Sequence, residues 1–105
     1  MRQYYVYMLR CSDGTFYVGI SRDPDRRLWQ HNAGIDEKAY THSRRPVQMV
    51  HASAFDDVFQ AIDWEKHLKK WSHAKKQALA DGDWKEIHEI VCRERRSRER
   101  EKRRA

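Results

Sequence analysis

Little in this chain suits a stapled or extended protein: its 105 residues hold two cysteines, two prolines and four glycines. Cys11 and Cys92 stand too far apart and are too few for a disulfide scaffold, so a reduced pair in a cytoplasmic protein is the expectation. His42, His51, His67, His73 and His88 show no zinc-ligand spacing. The scarcity of glycine and proline excludes collagen-like and linker sequences. No apolar run approaches the roughly 20 residues that cross a bilayer, and the opening Met-Arg-Gln-Tyr-Tyr is not a signal peptide. Internal repeats are missing too. A single monomeric domain with a modest core, away from membranes, is expected.

Charge is what the chain has in quantity, with 22 basic and 16 acidic residues and a formal net charge of +6. Residues 93–105 (RERRSREREKRRA) hold eight of the basic and three of the acidic residues, a net of +5 that leaves +1 for residues 1–92. The folded domain is therefore placed at 1–92 and a basic tail at 93–105. That tail is either disordered or a continuation of the last helix, where Glu94 with Arg98 and Glu99 with Arg103 have the favourable i,i+4 order. It is a solvated extension or, as the functional alternative, a contact for polyanions.

Residues 3–11 (QYYVYMLRC) and 15–20 (TFYVGI) have strand composition and flank the turn Ser12-Asp13-Gly14. Asp23 and Pro24 form an N-cap and first helical residue, and Gly34 closes that helix. An irregular stretch follows, then a third strand near 47–52, a helix from about Asp56 to Trp71, and one or two shorter helices over 73–92. The ββαβαα order predicts an α/β (α+β) fold, a small three-stranded antiparallel sheet flanked by helices. A three-residue hairpin loop with glycine third pairs Tyr7 with Gly19 and Leu9 with Tyr17. Tyr5, Tyr7 and Tyr17 then share one sheet face, and Gly19 leaves room beside Tyr7.

Arg27 and His31 lie one helical turn apart, at the edge of the stripe that Pro24 and Leu28 turn toward the sheet. Glu65 falls among Val58, Ala61, Ile62 and Leu68 on the apolar stripe of the next helix. A carboxylate there needs a partner, either a salt bridge to a residue such as Arg27 or a bound cation. One carboxylate with waters and a phosphate suits Mg²⁺. Trp64 and Trp71 fit packing against the last helices.

Tyr-Val-Tyr, then Tyr-Val-Gly at a ten-residue spacing, then Arg27, His31-Asn32 and Glu65 together resemble the GIY-YIG nuclease superfamily. The stretches YVYMLRCSDGTFYVGI, RRLWQHN and SRRPVQMV are similar to its small stand-alone UPF0213 (YhbQ/YazA-like) group, over about residues 4–80. The resemblance implies Tyr7, Tyr17, Arg27, His31 and Glu65 as catalytic residues, with Glu65 holding one Mg²⁺ or Mn²⁺. A tyrosine takes the proton of the attacking water, Arg27 stabilises the phosphorane and His31 assists proton transfer or orients a tyrosine. Two positions depart from the family pattern. Tyr5 replaces the glycine of the first triplet, and Gln77, assigned no role, stands where many relatives place asparagine.

Arg44, Arg45, Lys69 and Lys70 are candidate nucleic-acid contacts, and Tyr40 and Thr41, on the same long loop as the two arginines, could line a DNA path with them or be ordinary loop residues. The expected function is a divalent-metal-dependent endonuclease, a nickase, cutting DNA in repair or recombination beside partner proteins of those processes. The alternative is a nucleic-acid-binding module of the same fold with weak or no catalysis.

Overall fold

A computed structural model of the chain describes residues 3–104; the expected domain start at residues 1–2 and the tail's last residue lie outside that range. Strands β1 (Tyr4–Arg10), β2 (Phe16–Ser21) and β3 (Gln48–Phe55) form one antiparallel sheet in the order β2-β1-β3. Helix α1 (Pro24–Ala33) follows the hairpin, while α2 (Val58–Lys70), α3 (His73–Ala80) and α4 (Trp84–Arg104) follow β3. The α+β class and the three-stranded sheet are as expected. The expected stretch 73–92 resolves into two helices, broken at Asp81-Gly82-Asp83, and the second runs on through the basic segment.

The hairpin has the three-residue loop. The Cys11 amide donates to the Thr15 carbonyl at 2.8 Å, and Gly14 takes φ +84°, which favours glycine. Asp13 holds the loop, its carboxylate accepting from the Thr15 amide at 3.0 Å and hydroxyl at 2.6 Å. Tyr7 therefore pairs with Gly19 and Leu9 with Tyr17. The register sets the two faces of β1. Val6 and Met8 join Phe16, Val18, Ala61, Leu68 and Leu79 in the larger apolar core under α2 and α3. Tyr7 and Leu9 join Cys11 and Val47 on the other face, with Leu28 of α1 and Tyr17 packed against them.

Helix ends follow their local chemistry. The Asp23 carboxylate accepts from the Arg26 amide with Pro24 next in line, and Gly34 ends α1 in the left-handed conformation. Asp57 caps α2 and Ser72 caps α3. Trp64 and Trp71 meet edge to face at 5.4 Å, packing residues as expected. Helix α4 lengthens the molecule. The radius of gyration is 15.8 Å and the long axis 50 Å, against about 13 Å for a compact domain of this size. Its first turns pack on α3 through Ile87 and Ile90, and residues 95–103 are exposed.

Candidate active site

The two tyrosines of the hairpin, the α1 histidine and a loop threonine form one polar cluster inside the smaller core. Tyr7 is 1% exposed, and its hydroxyl meets His31 Nε2 at 3.3 Å. His31 Nδ1 lies 2.8 Å from Oγ1 of Thr41, itself buried. The Tyr17 ring centroid sits 5.0 Å from that of His31 and 6.4 Å from that of Tyr7. Gly19 makes the arrangement possible, because a Cβ there would stand 2.5 Å from the Tyr7 hydroxyl oxygen. The missing side chain expected beside Tyr7 is thus a requirement.

Burial keeps both titratable groups uncharged. It raises the Tyr7 phenol above its ordinary value of 10.0, more than the nearby Arg27 guanidinium lowers it, while the charges of Tyr17 and Glu65 raise it further. Burial, then the Arg27 charge, lowers His31 below 6.5, so its imidazole is neutral at pH 7. A neutral imidazole has one donor and one acceptor nitrogen. If Nδ1–H donates to Thr41, Nε2 is left to accept the phenol proton; the opposite tautomer reverses both bonds.

Arg27 is exposed at the mouth of the cluster, its Nη1 donating to Gln30 Oε1 at 2.8 Å. With Tyr17, Gln30, His31, Tyr40 and Thr41 it lines a cavity of about 340 Å³. Tyr40 stacks on Tyr17, with centroids 6.3 Å apart and planes 21° from parallel.

Glu65 approaches from α2. Its side chain is 16% exposed and its carboxylate lies 3.3 Å from Lys69 Nζ, one turn along the helix. The expected need for a partner is met, but by Lys69 rather than Arg27. The pair has the favourable order, Glu before Lys at i,i+4, and requires no contact between helices. As a metal ligand Glu65 fits one hard cation that keeps its waters and takes its other oxygens from phosphate. Among the described residues there is no cluster of three or more His, Cys, Asp or Glu able to cage an ion. Gln77 Nε2 donates to Asp81 Oδ1 at 3.0 Å, within α3 and its cap.

The four expected nucleic-acid contacts divide by element. Arg44 bonds Asp13 at 2.9 Å and the Tyr40 carbonyl at 2.8 Å, with its guanidinium 3.9 Å from the Tyr40 ring centroid. Arg45 donates to the His42 carbonyl at 2.8 Å and packs against Gly34. Both hold the long loop in place. Lys69 shares a shallow cleft with Tyr17, Tyr40 and Lys76, and Lys70 turns into a separate groove beside α4. Thr41, expected only on a loop lining a DNA path, is the residue whose bond to His31 the sequence did not reveal. Nothing in its spacing ties it to His31, because the irregular stretch that begins at Gly34 brings it there.

A small sheet whose hairpin presents paired tyrosines to an Arg–His helix, with one glutamate arriving from the next helix, is the arrangement this chain builds. The model of the GIY-YIG catalytic domain matches residues 3–78, and the chain belongs to that family, part of a nuclease superfamily. A UPF0213 protein of Haloquadratum walsbyi is 44% identical over 78 residues, 74% of this chain and 86% of the relative. One from Halobacterium salinarum is 43% identical over 76 residues, 72% of this chain and 97% of the relative. The solution NMR structure of the E. faecalis protein EF2693 is 35% identical, with a TM-score of 0.55, covering 78% of this chain and 86% of that one. The UPF0213 name itself carries no activity. Among the described residues no helix is long and apolar enough to cross a membrane.

Proposed function

We propose that this chain is a divalent-metal-dependent endonuclease that nicks DNA by hydrolysing one phosphodiester bond. The observation that carries the reading is the buried chain Thr41–His31–Tyr7, which ends on a phenol beside Arg27 and within the field of Glu65. A phenol whose pKa is raised is protonated at neutral pH and is no base by itself. Next to a neutral imidazole it becomes a relay. Tyr7 oxygen takes the proton of the attacking water as its own proton passes to His31 Nε2, and the Nδ1–H bond to Thr41 steadies the imidazolium that results.

Arg27 has two stations in this cycle. At rest it lies near the Tyr7 phenol and bonds Gln30. On substrate it moves to a non-bridging phosphate oxygen, opening the phenol to water and balancing the charge of the pentacoordinate phosphorus. Glu65 is the residue that would hold Mg²⁺ or Mn²⁺, and the bound cation supplies positive charge for the leaving oxygen. Tyr17 and Tyr40 form the stacked floor on which the nucleotide is positioned, with Lys69, Lys76, Arg44 and Arg45 adding positive field at the rim. One site on one small domain suits a single-strand nick, a step that repair and recombination both use.

The test is cleavage of labelled single-stranded, duplex, flap, nicked and branched DNA with Mg²⁺ or Mn²⁺, wild type beside Glu65→Ala. Cutting by wild type alone is expected. DNA bound by both proteins and cut by neither would overturn the enzyme and leave a binding module.

A further inference from the structure

Helix α4 lies beyond the part of the chain that its family accounts for. The GIY-YIG match ends at residue 78, and the Halobacterium relative is 97% covered by an alignment taking 72% of this chain. What α4 does is therefore not inherited from the catalytic domain. It is anchored firmly. Lys75 is 8% exposed, its Nζ lying 3.6 Å from Glu94 Oε2 and 4.4 Å from the Trp71 ring centroid. Burying an ammonium of α3 against a carboxylate of α4 and an aromatic face fixes the angle between the helices.

That anchoring creates a groove of about 660 Å³ between the end of α2, α3 and α4, lined by Lys70, Ala74, Ile90, Arg93, Glu94, Ser97 and Arg98. Its charges are not self-cancelling. Glu94 is taken by Lys75, and Arg93 by Glu86 at 3.1 Å. Among the described residues Lys70 and Arg98 both line the groove without an ion-pair partner. Lys70 also follows Lys69 on α2, and Lys69 borders the cleft that holds Tyr17. One helix end thus carries cations into both the catalytic cleft and the groove.

We propose that this groove is a second binding site for the phosphate backbone of DNA, with Lys70 and Arg98 as its anion-binding side chains and Ser97 as a hydroxyl donor. It rests on DNA being the substrate of the catalytic cleft. The occupant follows from the chemistry of the lining: two exposed, unpaired cations beside a serine hydroxyl at an open mouth fit a backbone of repeating single charges. Grip on the duplex flank, at a site separate from the reacting phosphate, gives a small enzyme the affinity that one cleft does not supply.

The experiment is a salt titration of binding to a short labelled duplex, followed by anisotropy in metal-free buffer so that no cleavage intervenes. Lys70→Gln/Arg98→Gln is compared with wild type and with Arg100→Gln/Arg103→Gln, which removes the same charge outside the groove. Each phosphate contact contributes about 0.9 to the log–log slope, so the groove variant should lose about 1.8 and bind roughly tenfold more weakly. The control variant should change much less. Equal losses in the two variants would overturn the site in favour of a diffuse basic field. An unchanged slope, or no binding by wild type, would overturn it outright. The result is separable from the nuclease reading: DNA bound through the groove and never cut sinks only the enzyme, and cutting with unaltered slopes sinks only the groove.

Discussion

Strand β1 has two faces built by alternate residues, and they obey different rules. Val6 and Met8 face α2 and α3, fully buried among aliphatic and aromatic side chains. Tyr7, one residue away and equally buried, faces a histidine and a threonine. The first face stabilises the fold by removing apolar area from water. The second spends part of that gain on polar groups that are satisfied only by one another, an arrangement sensitive to any single deletion. The same strand registers both, so a one-residue slip would exchange core and chemistry.

The sharpest separation of the faces comes from Leu68→Ala. Leu68 is fully buried against the sheet, and its truncation should cost about 2–5 kcal/mol in urea unfolding. Below the unfolding midpoint, the cleavage rate per folded molecule should be nearly unchanged. A lost rate in a folded variant would show that the two faces are mechanically coupled. Gly19→Ala attacks from the other side. The new methyl collides with the Tyr7 hydroxyl and ring, which cannot swing away within a packed core, so a loss of about 1–3 kcal/mol is expected. Here the cleavage rate should fall as well, because the phenol is pushed off His31. Full activity in that variant would remove Tyr7 from the relay.

Much of this was legible from residue order. Asp23-Pro24 and Gly34 mark both ends of α1, and a loop of three with glycine third determines the hairpin register, so the meeting of Tyr7, Gly19 and Tyr17 could be derived before any coordinates. Periodicity also marked Glu65 as a carboxylate in need of a partner, but it could not choose between Lys69 on the same helix and Arg27 on another. Local order favours the first; the family pattern pointed instead to a bound cation on Glu65. For the basic segment, charge alone admitted coil or helix; the Lys75–Glu94 contact that anchors it depends on the turn at 81–83. Thr41 was beyond reach because its role depends on the path of an irregular loop, which has no period to read.

Thr41→Val is the smallest change and tests the second face at its far end. It keeps the shape and removes the hydroxyl from a buried imidazole, which should cost about 1 kcal/mol of stability. Cleavage should fall on the order of tenfold, since one lost hydrogen bond of this size at the transition state amounts to about one decade, and Thr41→Ser should restore most of it. The pH profile distinguishes positioning from simple destabilisation. His31 accepts a proton only when neutral, and its pKa lies below 6.5 through burial and then Arg27, so wild-type activity should be level near neutrality and fall on the acid side. Stability has the same sign. Between the depressed folded pKa and 6.5 the unfolded chain binds more protons, so the fold loses stability as pH drops through that window. Histidine ring NMR should show the His31 titration below 6.5 in wild type and moving upward in Arg27→Gln, where one of the two causes is gone. A titration at or above 6.5 would contradict the burial of His31, and one well above neutrality would leave the imidazole charged at pH 7 and the relay from Tyr7 without an acceptor.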